Sequence, residues 1–436
     1  MTGGAVAARR AAATAPFRRD RPELPAHRED DVTTIATTAT ADADLPAGLD
    51  TLAASVRGAV ELETREGGFA PRRLPGWTRA HQAGPAIHLM ADQTLGVRLV
   101  LVTAATRLEV QVAVARIAAP AGYEQRPASF ELDHDGVTDR IDLTEGTLIH
   151  GDPSGEVRRD EGGVSTLRWT LGGDGRTERP VTLWLPHTAE VVVRAAHADA
   201  PLRAAPASTA PLWLHHGSSI SHGGEADGPR GPWAQRAATE LGLDLTDLGF
   251  SGNALLDPFV ARTIATQPAD VITLKLGINI VNVDGMRRRT LLPALHNYLD
   301  VIRDAHPETP LLVITPITSP SHEDLPGPTR EVAPGKVAGT PRAWTPEDGT
   351  LTLARIRDLI AAGVSSRQPQ DPHLHLLDGR LLLGPQDVAR LPDDLHPDDS
   401  GHRLMAERFA RLAQDVASPV GTAFAGLTTP ATDTPN

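Results

Sequence analysis

Two hydrophobic rhythms divide the chain. Between residues 47 and 204, short apolar or alternating runs dominate: GVRLVLVT, TRLEVQVAVARI, ASFELDH, STLRWTL, PVTLWLP and AEVVVRAA. They are rich in Val, Leu and Thr and are separated by turn-forming residues. In LEVQVAVAR a period of two sends Leu108, Val110, Val112 and Val114 to one face and Glu109 and Gln111 to the other, the signature of a half-buried strand. Several such strands with no long amphipathic helix among them predict an antiparallel β-sandwich of the jelly-roll kind. From residue 212 the rhythm changes. LWLHHG, LDLTDLGF, VITLKLGIN, PLLVITPI and LHLLDG alternate with the helical patterns WAQRAATELG, TLLPALHNYLDVIRDAH, TLARIRDLIAAGV and GHRLMAERFARLAQDV. Strands and helices taking turns predict βαβ crossovers and a parallel sheet covered on both faces, an α/β domain.

The length of 436 residues suits this division, because single hydrophobic cores stop growing near about 250–300 residues. The Ala- and Pro-rich stretch AAHADAPLRAAPASTAP reads as the join. The expected plan is a β-sandwich over 47–204, a linker over 205–211 and an α/β domain over 212–418. Residues 1–46 and 419–436, poor in large apolar side chains, are expected to be tails.

Charge and composition narrow the function. Acidic residues outnumber basic ones, 55 to 42, for a formal net charge of −13, the wrong sign for gripping a phosphate backbone; no nucleic acid partner is expected. There is no cysteine, which removes disulfides, thiolate chemistry and Cys-ligated zinc. No apolar run reaches the roughly 18 residues of a membrane span. Arg9 and Arg10 are followed by charged residues before any apolar stretch develops, so a cytoplasmic location is expected.

In open α/β sheets ligands sit at the carboxyl ends of the strands. There the sequence places GSSIS at 217–221, SGN at 251–253, GIN at 277–279 and DDLHP at 393–397. Acyl transfer needs an activated hydroxyl, a base, an acid that orients the base, and donors aimed at the oxyanion. These loops can supply all four. Taken singly each has a plainer explanation: Ser219 as a helix cap, Gly252 and Asn253 as a turn pair, Asn279 as a turn former, Asp393 as a loop acid. Four in order, each after a strand and before a helix, favour chemistry.

The set resembles the four sequence blocks of the SGNH (GDSL-type) hydrolases. That resemblance implies a flavodoxin-like three-layer domain in which Ser219 is the nucleophile, His396 the general base and Asp393 the residue orienting it. Ser219, Gly252 and Asn279 would form the oxyanion hole, and no cofactor or metal would be needed. The sequence departs from the family pattern twice: Ser218 replaces the Asp of GDS, and Ile280 replaces the Asp of GxND. A β-rich half ahead of such a domain is similar in architecture to bidomain acetyl esterases acting on carbohydrates.

Other polar residues invite a role. His215 with His216 and His373 with His375 are the tightest histidine groups, but alternate residues on a strand put His373 and His375 on one face without supplying a carboxylate or Cys partner, so structural or surface histidines rather than metal ligands are expected. His222, three residues past Ser219, is a candidate for lining the pocket. The segment from Ser319 to Trp344 is long and Pro-rich for a connector and reads as a lid or binding loop, with His322 and Trp344 as candidates for substrate contact. Arg287, Arg288 and Arg289 read as a solvated helix start. The sequence thus predicts a serine esterase for a small-molecule ester, with a small acyl group on a carbohydrate or natural product. An O-acyltransferase using the same triad, or a non-catalytic carbohydrate-binding protein, are the alternatives; the oligomeric state is not legible.

Overall fold

The computed structural model describes residues 48–81, 85–119, 123–151, 156–345 and 347–428. The expected N-terminal tail over 1–46 lies outside these residues.

The first part is two stacked β-sheets. One runs, in spatial order, Val56–Arg57, Arg98–Thr103, Arg179–Trp184, Ala128–His134 and Val137–Leu143, with Arg203–Ala204 also pairing Arg98–Thr103. The other runs Glu61–Arg65, Gly68–Arg72, Ala189–Ala198, Arg107–Ile117, Thr147–Gly151 and Val157–Asp160, with Val164–Thr170 also pairing Arg107–Ile117. The pairs are antiparallel except Arg107–Ile117 with Thr147–Gly151. Leu108, Val110, Val112 and Val114 are buried as their alternation requires, and they meet Leu99, Leu101, Phe130, Leu132, Val181 and Leu183 of the facing sheet in one apolar core.

The second part is a five-stranded parallel sheet of β1 (Leu212–Gly217), β2 (Asp244–Gly249), β3 (Val271–Lys275), β4 (Leu311–Ile314) and β5 (Leu374–Leu377), in the order 2-1-3-4-5. Central strands buried on both faces read as continuous apolar runs, and VITLK and LLVI are buried at every position. The crossovers carry α1 (Ser219–His222), α2 (Trp233–Leu241), α3 (Pro258–Thr266), α4 (Ile278–Asn282), α5 (Arg288–Ala305) and α6 (Leu353–Ser365), and α7 (Asp399–Gln414) follows β5. The chain continues into α8 (Pro419–Ala423), capped by the Ser418 side chain, which accepts from Gly421 N–H at 2.8 Å. Phe424 is fully buried, edge-on to Trp213 and Phe409, whose own rings stack at 5.1 Å. The expectation of a tail from residue 419 is therefore corrected for 419–428: one large aromatic anchors a segment whose composition otherwise looks unstructured.

The two parts share a continuous interior. Leu74, Ile87 and Ala91, from the β-rich part, belong to the core of the α/β part; Ile87 and Ala91 sit on the helix Pro85–Asp92, which the strand pattern did not announce. Arg73 is fully buried between the parts. Its guanidinium donates to the carbonyls of Gln93 (2.6 Å), Gly249 (2.6 Å) and Asp247 (3.3 Å) and lies over the Phe250 ring. Arg98 pairs with Asp244, and Arg230 reaches Glu131 at 2.7 Å and Asp133 at 3.1 Å.

Candidate active site

The site lies at the carboxyl ends of the parallel strands, where the chain leaves β1, β2 and β3 for helices. β1 ends at Gly217. A Cβ there would come within 2.2 Å of Ser221 Oγ, so only glycine lets the chain turn at once into α1. Ser218 caps that helix; its Oγ accepts from Ile220 N–H at 3.3 Å, while Ser219 takes the first helical position with its side chain free to face outward. The first N–H groups of a helix lack intrahelical acceptors, so Ser219 N–H is available to an anion.

His396 reaches Ser219 from the far end of the sheet. Its Nε2 is 2.9 Å from Ser219 Oγ and its Nδ1 is 2.6 Å from Asp393 Oδ2. The Asp393 Oδ1 accepts the backbone N–H groups of Leu395 (2.9 Å) and His396 (2.6 Å), which fixes the carboxylate against its own loop. Burial works to raise the Asp393 pKa, but the hydrogen bonds and charge of His396 together with those two N–H groups outweigh it, and the carboxyl is held below its usual range. An ionised Asp393 requires the proton on His396 Nδ1, leaving the Nε2 lone pair for the serine hydroxyl.

Two further candidate donors lie on the loops that follow β2 and β3. Gly252 has φ +73° and open space where a Cβ would stand. Asn279, in the first turn of α4, accepts Ala254 N–H through Oδ1 at 2.9 Å, which sets the orientation of its amide. Its Nδ2 is buried and has no partner among the described residues. A buried orphan donor is costly unless something accepts from it, and an oxyanion would. The two departures from the family pattern are structural: Ser218 is the helix cap, and Ile280 is buried in the core.

The weaker candidates are each engaged with other partners. His222 is buried, and its Nε2 donates to the His187 carbonyl at 2.8 Å; His187 Nε2 in turn donates to the Gly223 carbonyl at 3.0 Å. The pair fastens α1 to the β-rich part. His322 is likewise buried and committed, to Thr329 Oγ1 at 2.7 Å and the Leu325 carbonyl at 3.2 Å. Trp344 is half-buried with the Arg355 guanidinium over its ring. The segment 319–344 contains a β-hairpin, Arg330–Ala333 with Lys336–Ala338, that sequence reasoning did not detect. Arg287 pairs with Asp284 at 2.7 Å, while Arg288 and Arg289 are exposed.

His215 and His216 are core residues. His215 bridges Thr273 Oγ1 and Ser221 Oγ, each at 2.7 Å, and His216 Nδ1 donates to the Leu248 carbonyl at 2.7 Å. Burial holds His187 and His216 down to about 4 and His402 to about 3, with His215 and His222 also well below the ordinary 6.5. These five rings bind protons in the unfolded chain below pH 6.5 but not in the folded one, so stability is full above 6.5 and falls as the pH drops toward 4. Burial acts oppositely on Asp92 and Asp247, raised to about 7, and on Asp257, raised to about 6, and these three oppose the trend without cancelling five. The urea midpoint of the folded protein is therefore expected to be lower at pH 5 than at pH 7.5; an unchanged or higher midpoint would contradict the neutral-histidine core.

A parallel sheet in the order 2-1-3-4-5, carrying Ser, His and Asp in one line at its carboxyl edge, defines an α/β enzyme of the esterase or acyl-transfer kind. Residues 216–404 match the GDSL-like Lipase/Acylhydrolase family, and this part of the chain is a GDSL-like lipase/acylhydrolase domain. Among solved structures, a salicylyl-acyltransferase, SsfX3, from a tetracycline biosynthetic pathway is 27% identical with a TM-score of 0.69, the match covering 86% of this chain and 96% of that one. A putative GDSL-like lipase from Bacteroides ovatus (17% identity, TM-score 0.61, 83% and 95% covered) has the same fold. So does an active-site mutant of a family two carbohydrate esterase from Clostridium thermocellum (15%, 0.50, 74% and 92%). No curated protein matches the sequence. No helix among the described residues is long and apolar enough to cross a membrane.

Proposed function

We propose that the protein is a serine esterase acting through an acyl-enzyme on Ser219, with a small acyl group on a carbohydrate or natural product as its substrate. The observation that carries this reading is the continuous line from Asp393 Oδ2 through the His396 ring to Ser219 Oγ, 2.6 and 2.9 Å. In the first half-reaction His396 Nε2 takes the Ser219 proton as Oγ attacks the ester carbonyl. The oxyanion is received by Ser219 N–H, Gly252 N–H and Asn279 Nδ2–H. His396 then returns the proton to the departing alkoxide, which leaves as the alcohol. In the second half-reaction water gives its proton to His396, attacks the acyl carbonyl and releases the acid as the proton returns to Ser219.

A second reading shares the first half-reaction and replaces water by an alcohol, making the enzyme an O-acyltransferase. The likeness to the salicylyl-acyltransferase, which extends across both parts of the chain, favours it. Incubation with acyl esters from acetyl to long-chain, and with acetylated sugars, separates the two when products are resolved with and without a co-supplied alcohol. Free acid as the sole product supports hydrolysis; a new ester formed in preference to acid supports transfer; and no acyl mass on Ser219 under either condition rejects both. Removal of the orphan amide by Asn279→Ala is expected to lower kcat by about 10²- to 10³-fold with little change in KM, because the donor acts on charge that develops only in the transition state. A KM effect alone would exclude Asn279 from the oxyanion hole.

A further inference from the structure

The hairpin Arg330–Ala333/Lys336–Ala338 touches the acid–base loop, and the loop's backbone shows what it holds. Asp394 lies between Asp393 and His396 with φ +69°, a left-handed conformation that a non-glycine residue adopts at a cost of about 1 kcal/mol or more unless its surroundings impose it. The turn at Asp394 is what brings Leu395 N–H and His396 N–H back onto the Asp393 carboxylate.

Four contacts impose it. Lys336 Nζ meets Asp394 Oδ1 at 3.1 Å, Val337 N–H donates to the Asp393 carbonyl at 3.1 Å, and Ser319 Oγ and Ser321 N–H donate to the Asp394 carbonyl at 3.0 and 3.4 Å. Two of the four come from adjacent residues of one hairpin strand. At its other strand, Glu331 Oε1 accepts from Tyr123 Oη at 3.0 Å, and Tyr123 Oη accepts Gly335 N–H at 3.2 Å, so the hairpin is also fastened to the β-rich part.

We propose that this hairpin is a strap that positions the catalytic acid, with Lys336 and Asp394 as positioning residues: their ion pair, beside the Val337–Asp393 bond, keeps the left-handed turn that aims Asp393 at His396. The inference rests on the Ser219–His396–Asp393 reading. An ion pair whose side chains are 44% and 36% exposed adds little to global stability. Its effect is instead expected in the chemical step, which is sensitive to sub-ångström displacement.

The test is the rate at which a fluorophosphonate ester labels Ser219 in the full-length protein, separated into kinact and KI. Lys336→Ala is expected to lower kinact about five-fold with KI and melting temperature essentially unchanged, and Lys336→Arg to restore it to within about two-fold. Asp394→Gly suits the positive φ yet lacks the carboxylate, and is expected to lose as much. Combining Lys336→Ala with Asp394→Gly should lose no more than either alone. Wild-type kinact in Lys336→Ala, multiplicative losses in the double variant, or a loss confined to KI would each overturn the proposal; should Lys336→Ala fail to fold, Asp394→Gly decides alone in the same way. Failure of the unmodified protein to label at Ser219 would instead reject the triad reading beneath it.

Discussion

Ser219→Ala is expected to reduce turnover of p-nitrophenyl acetate by at least about 10⁴-fold, and His396→Ala to do nearly the same, with the double variant no worse than either. The hydroxyl and the ring act as a unit: without Oγ there is nothing to acylate, and without Nε2 at 2.9 Å the hydroxyl keeps its proton at neutral pH. Both positions are half-exposed and outside the apolar core, so the folded state should survive each change, which melting curves would check. Activity in Ser219→Ala within ten-fold of the parent would end the acyl-enzyme proposal.

Asp393→Asn has an expected cost of similar order, about 10⁴-fold in kcat, for a different reason. An amide at this position can keep its oxygen on the Leu395 and His396 N–H groups, so the loop should retain its shape. Its nitrogen then faces His396 Nδ1 and donates to it, forcing the ring proton onto Nε2, where it confronts the serine hydroxyl instead of accepting from it. Asp393→Ala, which lacks that wrongly placed donor, is expected to be no worse than Asp393→Asn although it also loosens the loop. Measuring kcat for both variants tests this: an Asn variant within ten-fold of the parent would show that Asp393 neither orients nor stabilises the imidazole.

How much of this was legible depended on whether the information was local. Runs with a buried face announced themselves, and GVRLVLVT, TRLEVQVAVARI and VITLKL all lie on strands. The edge strands Val137–Leu143 and Val157–Asp160 did not: their side chains are mostly exposed, the alternation of Val137, Ile141 and Leu143 is broken by Asp139, and VRRD has no apolar alternation to display. The residues around Ser219, Gly252, Asn279 and Asp393–His396 stood out because strand ends are local features and because the three-residue offset is the one the family resemblance implies. His222 and His322 looked equally suggestive, but composition cannot reveal which way a side chain turns, and both are spent on carbonyl and hydroxyl partners. Lys336 gave no signal at all, since its partner is 58 residues away. The same holds for Arg73, whose acceptors at Asp247 and Gly249 are 174 and 176 residues distant.

Arg73 has a practical implication for anyone who wishes to dissect the protein. Its charge occupies a socket of carbonyl oxygens drawn from both halves, floored by the Phe250 ring, while Leu74, Ile87 and Ala91 plug the neighbouring oily surface. Cutting the gene at the Ala–Pro join would therefore yield an α/β fragment with bare acceptors and a greasy scar beside the loop that follows β2, prone to precipitate. A chimera that transplants the sandwich would need the socket moved along with it.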